Sequence, residues 1–166
     1  MGKPIYIKIF KQIFIGKRVR IFPNSRIECL SVDAKIIVHD NVSIGHNLHM
    51  TAHSILEISK NCTISSNVMI TDNQHSYLEI GTHILDQKLI IKKTFIGENC
   101  FIGTGAAINS GTILGKQCIV GAHAVLSGLY PDYCVIVGAP GRIVKRYDEN
   151  TKEWKRTNSY GKFINN

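Results

Sequence analysis

The chain has 166 residues, enough for one domain with a sizeable core; 26 are Ile, 10 Val and 9 Leu, whereas Ala (7) and Glu (6) are scarce. Because β-branched side chains fit a pleated strand and lose rotamer freedom in a helix, this composition favours strands. The excess of 20 Lys and Arg over 12 Asp and Glu gives a net charge of +8, which points to an anionic partner. The sequence carries no aromatic-rich RNA-binding motif and no zinc finger, so a phosphorylated ligand is favoured over a nucleic acid.

The five cysteines form no C-x-x-C pair, and the sequence contains no signal peptide and no apolar run of about 18 residues. We therefore expect a cytoplasmic protein with reduced, packed thiols and no bound metal.

Residues 1–18 form a lead segment. Apolar and polar residues alternate around Ile5, Ile7 and Ile9, and the segment FKQIFIG follows. We interpret this as a leading strand or short helix packed on the domain. The alternative is a basic amphipathic contact with the inner face of a membrane.

A repeat of six residues begins near residue 19. Small residues stand four positions after many of its aliphatic residues, and Gly, Asn or Ser often comes directly after them. The aliphatic positions are Ile21 and Ile27, then Val38, Ile44 and Met50, then Ile58, Ile64 and Ile70, and finally Ile96, Ile102, Ile108, Leu114, Val120 and Leu126. A short strand and a tight corner every six residues predict a solenoid whose aliphatic side chains stack inside, with three hexads in each coil. The hexads account for four coils and a ragged fifth at the start.

The repeat, its break between about residues 73 and 93, and the closing segment G-A-P-G-R at 138–142 together resemble the hexapeptide-repeat acyltransferases. Within that family the arrangement resembles the maltose, galactoside and bacterial surface-polysaccharide O-acetyltransferases. The resemblance implies an all-β, left-handed parallel β-helix, acetyl-CoA as acyl donor and a homotrimer with sites between subunits. We predict one domain: lead segment 1–18, first coils 19–72, a protruding active-site loop 73–93, second coils 94–129, and a closing strand with a C-terminal tail or short helix at 130–166.

The break begins with a cluster of polar residues, TDNQHSY at 71–77. A loop of about twenty residues on a regular solenoid is typical of a functional segment. Acetyl transfer to an alcohol needs a base, and imidazole has a suitable pKa. The resemblance implies a catalytic His directly after this coil, and His75 fits that place, although some relatives carry His where this chain has Asn73. His83 is the second candidate.

Other loop residues are assigned to the same site. Asp72 is predicted as catalytic because it could orient the imidazole of His75, although it could equally cap a turn. Asn73, Tyr77 and His83 are predicted to contact the substrate.

The Gly103-Thr104-Gly105-Ala106 run suits the tight corners of a β-helix. Small residues would also let the pantetheine arm of CoA lie along the coils, with backbone N–H groups facing the thioester oxygen. The resemblance implies such contacts near Gly103 and Thr104, and again near Ala122.

The closing segment VGAPGRIVKR, residues 137–146, resembles the strand that passes the adenine end of CoA in the family. Gly138, Arg142 and Lys145 are therefore predicted to contact CoA, with Arg146 beside them, because Arg and Lys bind phosphate well. A solvated basic tail is the alternative.

The function predicted from these features is acetyl transfer from acetyl-CoA to a sugar hydroxyl in O-antigen or capsule synthesis. The alternatives are N-acetylation of a nucleotide-linked amino sugar, a non-catalytic scaffold, and a γ-carbonic-anhydrase-like metal enzyme. The last requires three His sharing one metal between subunits, and no such set is apparent.

Overall fold

The computed structural model describes residues 6–8 and 10–164. Short strands joined by tight corners dominate this part of the chain. In chain order they are Tyr6–Lys8 (β1), Ile13–Ile15 (β2), Arg20–Ile21 (β3), Arg26–Cys29 (β4), Lys35–Val38 (β5), Ser43–Ile44 (β6), His49–Ala52 (β7), Ile55–Ile58 (β8), Thr63–Ile64 (β9), Met69–Thr71 (β10), Asn73–His75 (β11), Leu89–Ile91 (β12), Thr94–Ile96 (β13), Phe101–Ile102 (β14), Ala107–Ile108 (β15), Ile113–Leu114 (β16), Ile119–Val120 (β17), Val125–Leu126 (β18), Leu129–Tyr130 (β19), Cys134–Val137 (β20), Arg142–Asp148 (β21) and Glu153–Arg156 (β22). Two 3₁₀ turns, Phe10–Gln12 and Ile84–Asp86, are the helical segments among the described residues. Neither is long and apolar enough to cross a bilayer.

The strands build three parallel sheets that form the faces of a left-handed parallel β-helix. Face A has the order β1-β4-β7-β10-β15-β18, and face B the order β2-β5-β8-β13-β16-β19. Face C has β3-β6-β9-β14-β17-β20, to which β21 and β22 add in antiparallel fashion. Each coil contributes one strand to each face, so the described chain makes six coils. We name the corners CA, AB and BC after the faces that they connect.

The predicted aliphatic positions line the interior. Every position of the six-residue repeat, from Ile21 to Leu126, is buried, and Ile44, Ile102 and Leu114 have no exposed surface. Equivalent residues stack on neighbouring coils, as Ile70 does on Met50 and Ile108. Burying one such side chain stabilises the fold by about 1.5–3 kcal/mol, and each coil depends on its neighbours for this burial. All five cysteines are buried and free, as expected for packed thiols.

The solenoid has one more coil than the hexads indicated. Residues assigned to the lead segment form β1 and β2, which pair in parallel with β4 and β5 and so belong to a first complete coil. The six-residue period does not show this coil because a 3₁₀ turn separates its first two strands. The residues Ile5 and Ile9 of the predicted alternation lie outside the described residues.

The C-terminal segment contains no helix among its described residues. Strands β21 and β22 form a hairpin that extends face C beyond the last coil. Its aromatic and β-branched residues suit strands, and the hairpin covers the edge that β20 would otherwise leave open.

Candidate active site

Corner CA of the last three coils, which we call the upper coils, brings together three of the residues predicted to contact CoA. Thr104 and Ala122 occupy the same position on successive coils, and the N–H of the following His123 donates to the carbonyl of Thr104 (2.8 Å). Gly138 occupies the matching corner of the last coil, where its carbonyl accepts from the N–H of Val125 (3.0 Å). The three residues are exposed and form a column parallel to the helix axis.

The column offers backbone donors that the fold does not use. Within the described chain, the N–H groups of Thr104, Ala122 and Gly138 make no hydrogen bond, whereas their neighbours Gly103, Gly121 and His123 donate to an adjacent coil. In the turn Gly121–Ala124, Ala124 N donates to Gly121 O (3.3 Å) and His123 has a φ of 57°. These are features of a type II turn, whose second residue directs its N–H away from the turn. Corner CA therefore presents free donors to a ligand.

Gly103 does not belong to this exposed column. It is buried, its N–H donates to the carbonyl of Val120 (2.8 Å), and a Cβ at this position would lie 2.6 Å from the backbone nitrogen of Ala122. The residue is glycine because the next coil passes against it. The predicted contact of Gly103 with CoA is therefore replaced by a packing role.

His123 lies over Gly105 in the same corner. A Cβ on Gly105 would be 2.4 Å from Nδ1 of His123, so the absent side chain makes room for the ring. Lower in this corner, Asn47 and Asn67 are linked side chain to side chain (2.8 Å). The corner position that Asn47 and Asn67 hold is therefore occupied by Gly105 and by the exposed His123 on the next two coils.

The protruding loop leaves the solenoid at corner AB of the fourth coil and returns by the antiparallel pair β11–β12. Two buried hydroxyls fix its base: Thr94 Oγ1 donates to the carbonyl of Thr71, and Ser110 Oγ donates to the carbonyl of Asp72, both at 2.8 Å. Corners CA and AB border the same face A, whose strands at this level are about three residues, or roughly 10 Å, long. The loop and the column of free donors therefore flank one face.

His75 ends β11, opposite Leu89 of β12, and is half-buried. Its Nδ1 is buried and has no hydrogen-bond partner within the described residues. The described residues thus supply no group that fixes the tautomer of this imidazole.

Asp72 does not contact the imidazole of His75. Its carboxylate accepts hydrogen bonds from the backbone N–H groups of His53 and Ser54, both at 2.7 Å, and from the side-chain amide of Asn73 at 3.1 Å. The side chain is fully buried. Of the two roles considered for Asp72, the structure supports the turn cap and not the orientation of the base.

The residues predicted to contact the substrate lie on the loop in different settings. Asn73 is held by Asp72 through its amide, while Tyr77 is 73% exposed and projects from the loop. His83 accepts a hydrogen bond from Leu85 N through Nδ1 (3.3 Å) and caps the short 3₁₀ turn. That bond gives His83 a local structural role.

A buried amide that the sequence did not single out organises the loop tip. Gln87 donates through Nε2 to the carbonyls of Glu79 and Thr82, and its Oε1 accepts from Glu79 N, all at 3.1 Å. Thr94 and Ser110 tie the base of the loop to the solenoid, and Gln87 links the two sides of its tip. These three residues could have been noticed in the sequence, because they are polar and lie within or beside a repeat that is otherwise aliphatic.

The basic residues after the last coil divide into two groups. Arg142 and Lys145 are exposed on β21, and Arg142 pairs with Val137 beside Gly138, at the upper end of the corner column. Arg146 instead anchors the C-terminal segment: its Nη1 donates to Gly161 O (3.4 Å), and its guanidinium lies 5.8 Å from the centre of the Phe163 ring. Among the residues described, no group of three or more His, Cys, Asp or Glu is arranged to hold a metal ion.

Comparison with known proteins agrees with this architecture. The family described as bacterial transferase hexapeptide (six repeats) matches residues 93–128. A putative lipopolysaccharide biosynthesis O-acetyl transferase, WbbJ of Escherichia coli, is 27% identical over 92% of this chain and 81% of its own length. A probable acetyltransferase of Mycobacterium tuberculosis is 31% identical over 81% of this chain, which spans only 44% of that relative.

Among solved structures, AntD, an N-acyltransferase from Bacillus cereus in complex with dTDP and 3-hydroxybutyryl-CoA, superimposes with a TM-score of 0.76. It is 18% identical and covers 91% of this chain and 84% of its own, a likeness that concerns the fold. The repeat, the three-faced helix and these relatives agree with one another. The chain carries the hexapeptide repeat of bacterial transferases and resembles the hexapeptide-repeat acyltransferases in sequence and in fold.

Proposed function

We propose that the protein transfers an acetyl group from acetyl-CoA to a hydroxyl of a sugar destined for O-antigen or capsular polysaccharide. The observation that carries the proposal is the column of unused N–H groups at Thr104, Ala122 and Gly138, flanked by a loop that bears His75. The likeness to a lipopolysaccharide O-acetyl transferase supports the choice of a sugar acceptor.

Corner CA offers CoA free hydrogen-bond donors, small side chains and nearby cations. The pantetheine arm has amide carbonyls that can accept from Thr104 and Ala122, and no side chain larger than Thr stands at these two positions and Gly138. Arg142 lies beside Gly138, opposite Val137, and Lys145 lies further along β21, opposite Val135, so both could approach the nucleotide phosphates. One bound molecule would therefore use the free donors and the exposed cations together.

His75 is proposed as the general base. Imidazole Nε2 takes the proton of the acceptor hydroxyl as its oxygen attacks the thioester carbonyl, and the CoA thiolate leaves. For Nε2 to accept that proton, Nδ1 must carry a hydrogen, and this buried donor has no partner within the described chain. Such a group costs about 1–3 kcal/mol. The homotrimer with sites between subunits remains a prediction from the family resemblance.

N-acylation of an amino sugar on a nucleotide is the second candidate, supported by the fold shared with AntD, which was crystallised with dTDP and an acyl-CoA. The same base serves both reactions. Alkali distinguishes the products, because it cleaves the ester of an acetylated hydroxyl and leaves an amide intact.

The test is release of free CoA thiol from acetyl-CoA against sugars and amino-sugar nucleotides, for the wild type, His75→Ala and the loop control His83→Ala. We expect acceptor-dependent release that falls by about 10²-fold or more in His75→Ala and little in His83→Ala. Equal loss in both variants would contradict the assignment of the base. Absence of acetyl-CoA binding by the wild type would favour a non-catalytic scaffold.

A further inference from the structure

The positive charge of the chain is concentrated at its two ends. Residues 6–40 contain seven Lys and Arg against three Asp and Glu, and residues 142–164 contain the same numbers. The intervening residues 41–141 contain five Lys and Arg against six Asp and Glu. Residues 142–164 include the cations proposed to bind CoA, whereas nothing in the proposed reaction uses the cations of the first coil.

Large apolar side chains accompany the cations of the first coil. Phe14 is 50% exposed, and Tyr6, Ile15 and Phe22 are exposed to more than 40%. Lys8, Lys11, Lys17 and Arg20 are exposed as well, and none of them forms an ion pair within the described residues. The nearby acids offset only part of this charge. Glu28 is paired with Arg26, Asp40 accepts a hydrogen bond from the backbone of Lys17, and Asp33 is the third acid, so seven cations against three acids leave this segment positive.

These side chains surround the end of the solenoid. Lys8 lies on face A, Phe14 on face B, Arg20 on face C, and Lys17 and Phe22 at the two corners that border face C. A small anionic ligand could contact only one face or one corner. A surface that crosses the helix axis contacts the whole ring at once.

We infer that the first coil docks end-on onto an anionic phospholipid bilayer. Lysines near such a surface are attracted by its negative potential, and aromatic and aliphatic side chains of moderate exposure enter the headgroup region. The apolar ring distinguishes this surface from a site for a soluble nucleotide. Docking would hold the acetyl-transfer site a few coils, roughly 15 Å, from the membrane, since coils are about 4.8 Å apart.

Vesicle co-sedimentation tests the inference with the full chain. We expect binding to vesicles of phosphatidylglycerol and phosphatidylethanolamine, and little binding to phosphatidylcholine alone. Lys11→Gln combined with Lys17→Gln should weaken binding about 30-fold, because each surface lysine contributes about 1 kcal/mol. Phe14→Ser should weaken the binding that persists at high salt, where screening removes the electrostatic part.

The matched control is Lys152→Gln with Lys162→Gln, which removes the same charge at the opposite end of the solenoid. Equal loss in this control, equal binding to neutral and anionic vesicles, or no binding at all would overturn the inference. Binding only when a polyprenyl diphosphate is added would also overturn it, in favour of a lipid-linked ligand. Acetyl transfer to a soluble acceptor should be unchanged in the Lys11 and Lys17 variant, which keeps this test separate from that of the proposed function.

Discussion

Replacing Ala122 by proline tests the free donors of corner CA with little disturbance of the fold. Proline deletes the N–H of residue 122, which makes no hydrogen bond within the described chain. The position is the second of a type II turn, where proline is common. The chain already carries Pro23 at the equivalent corner of the first coil, followed by Asn24 with a φ of 65°.

The expected loss follows from this local geometry. In Ala122→Pro a carbonyl of the pantetheine arm has no N–H to accept from when CoA binds. This loss should weaken the binding free energy by about 1–3 kcal/mol and raise Kd about 5- to 150-fold. The free energy of unfolding should stay the same or rise by about 0.4–1 kcal/mol, because proline restricts the unfolded chain.

Calorimetric titration of CoA into Ala122→Pro, with thermal unfolding in parallel, measures both effects. Ala122→Ser is the control: it keeps the N–H and should bind CoA about as well as the wild type. If Ala122→Pro melts like the wild type and binds CoA with unchanged Kd, this N–H does not contact CoA and the proposed CoA site at corner CA is wrong.

Three further substitutions address the packing, the loop and the C-terminal hairpin. Gly103→Ala should destabilise the fold by about 1–3 kcal/mol, because its Cβ would lie 2.6 Å from the backbone of Ala122. Each kcal/mol should lower Tm by about 2–4 °C, and an unchanged Tm would contradict the packing role. Gln87→Leu removes three hydrogen bonds from the loop tip, so amide exchange there should accelerate and kcat should fall while Tm changes little; unaltered exchange would show that the clamp is dispensable. The Lys155 ammonium, 2.6 Å away, lowers the pKa of Asp148 to about 2 from its ordinary 3.8. The stabilisation is therefore present above about pH 4 and lost as the pH falls through about 2, so the Tm difference between wild type and Asp148→Asn should shrink over that range; a constant difference would argue against the pair.

The solenoid is predictable from sequence because its core repeats with a fixed period. One coil of three hexads is 18 residues, so Thr104 and Ala122, which are 18 positions apart, are expected to stack, and they do. Gly138 follows after only 16 residues because the last coil is shorter. The first coil escapes the period because the 3₁₀ turn at Phe10–Gln12 changes the spacing between its strands.

The roles of individual polar residues are less accessible, because one residue type serves several purposes. Asp72 stands 18 residues after Ser54, so it lies one coil above the Ser54 N–H that it caps. In the sequence, however, the motif T-D-N-Q-H fits a catalytic pair of Asp72 and His75 equally well. Gly103 looks like a cofactor contact in sequence, but its neighbour across the coil decides that it is a packing residue. In both cases the spatial partner, and not the local motif, determines the role.

The unused N–H groups along corner CA span the coils between the loop and the basic hairpin. In the first coil the position is Pro23, which has no N–H, and in the second the N–H of His46 donates to Ser66 Oγ (3.1 Å). From Ser66 upward, through Thr104 and Ala122, the equivalent N–H groups make no hydrogen bond within the described residues. The donors thus begin one coil below the point where the loop departs and continue towards the basic hairpin. A bound acetyl-CoA with its phosphates at that hairpin would therefore present its thioester at the level of the loop, which is where the proposed base is needed.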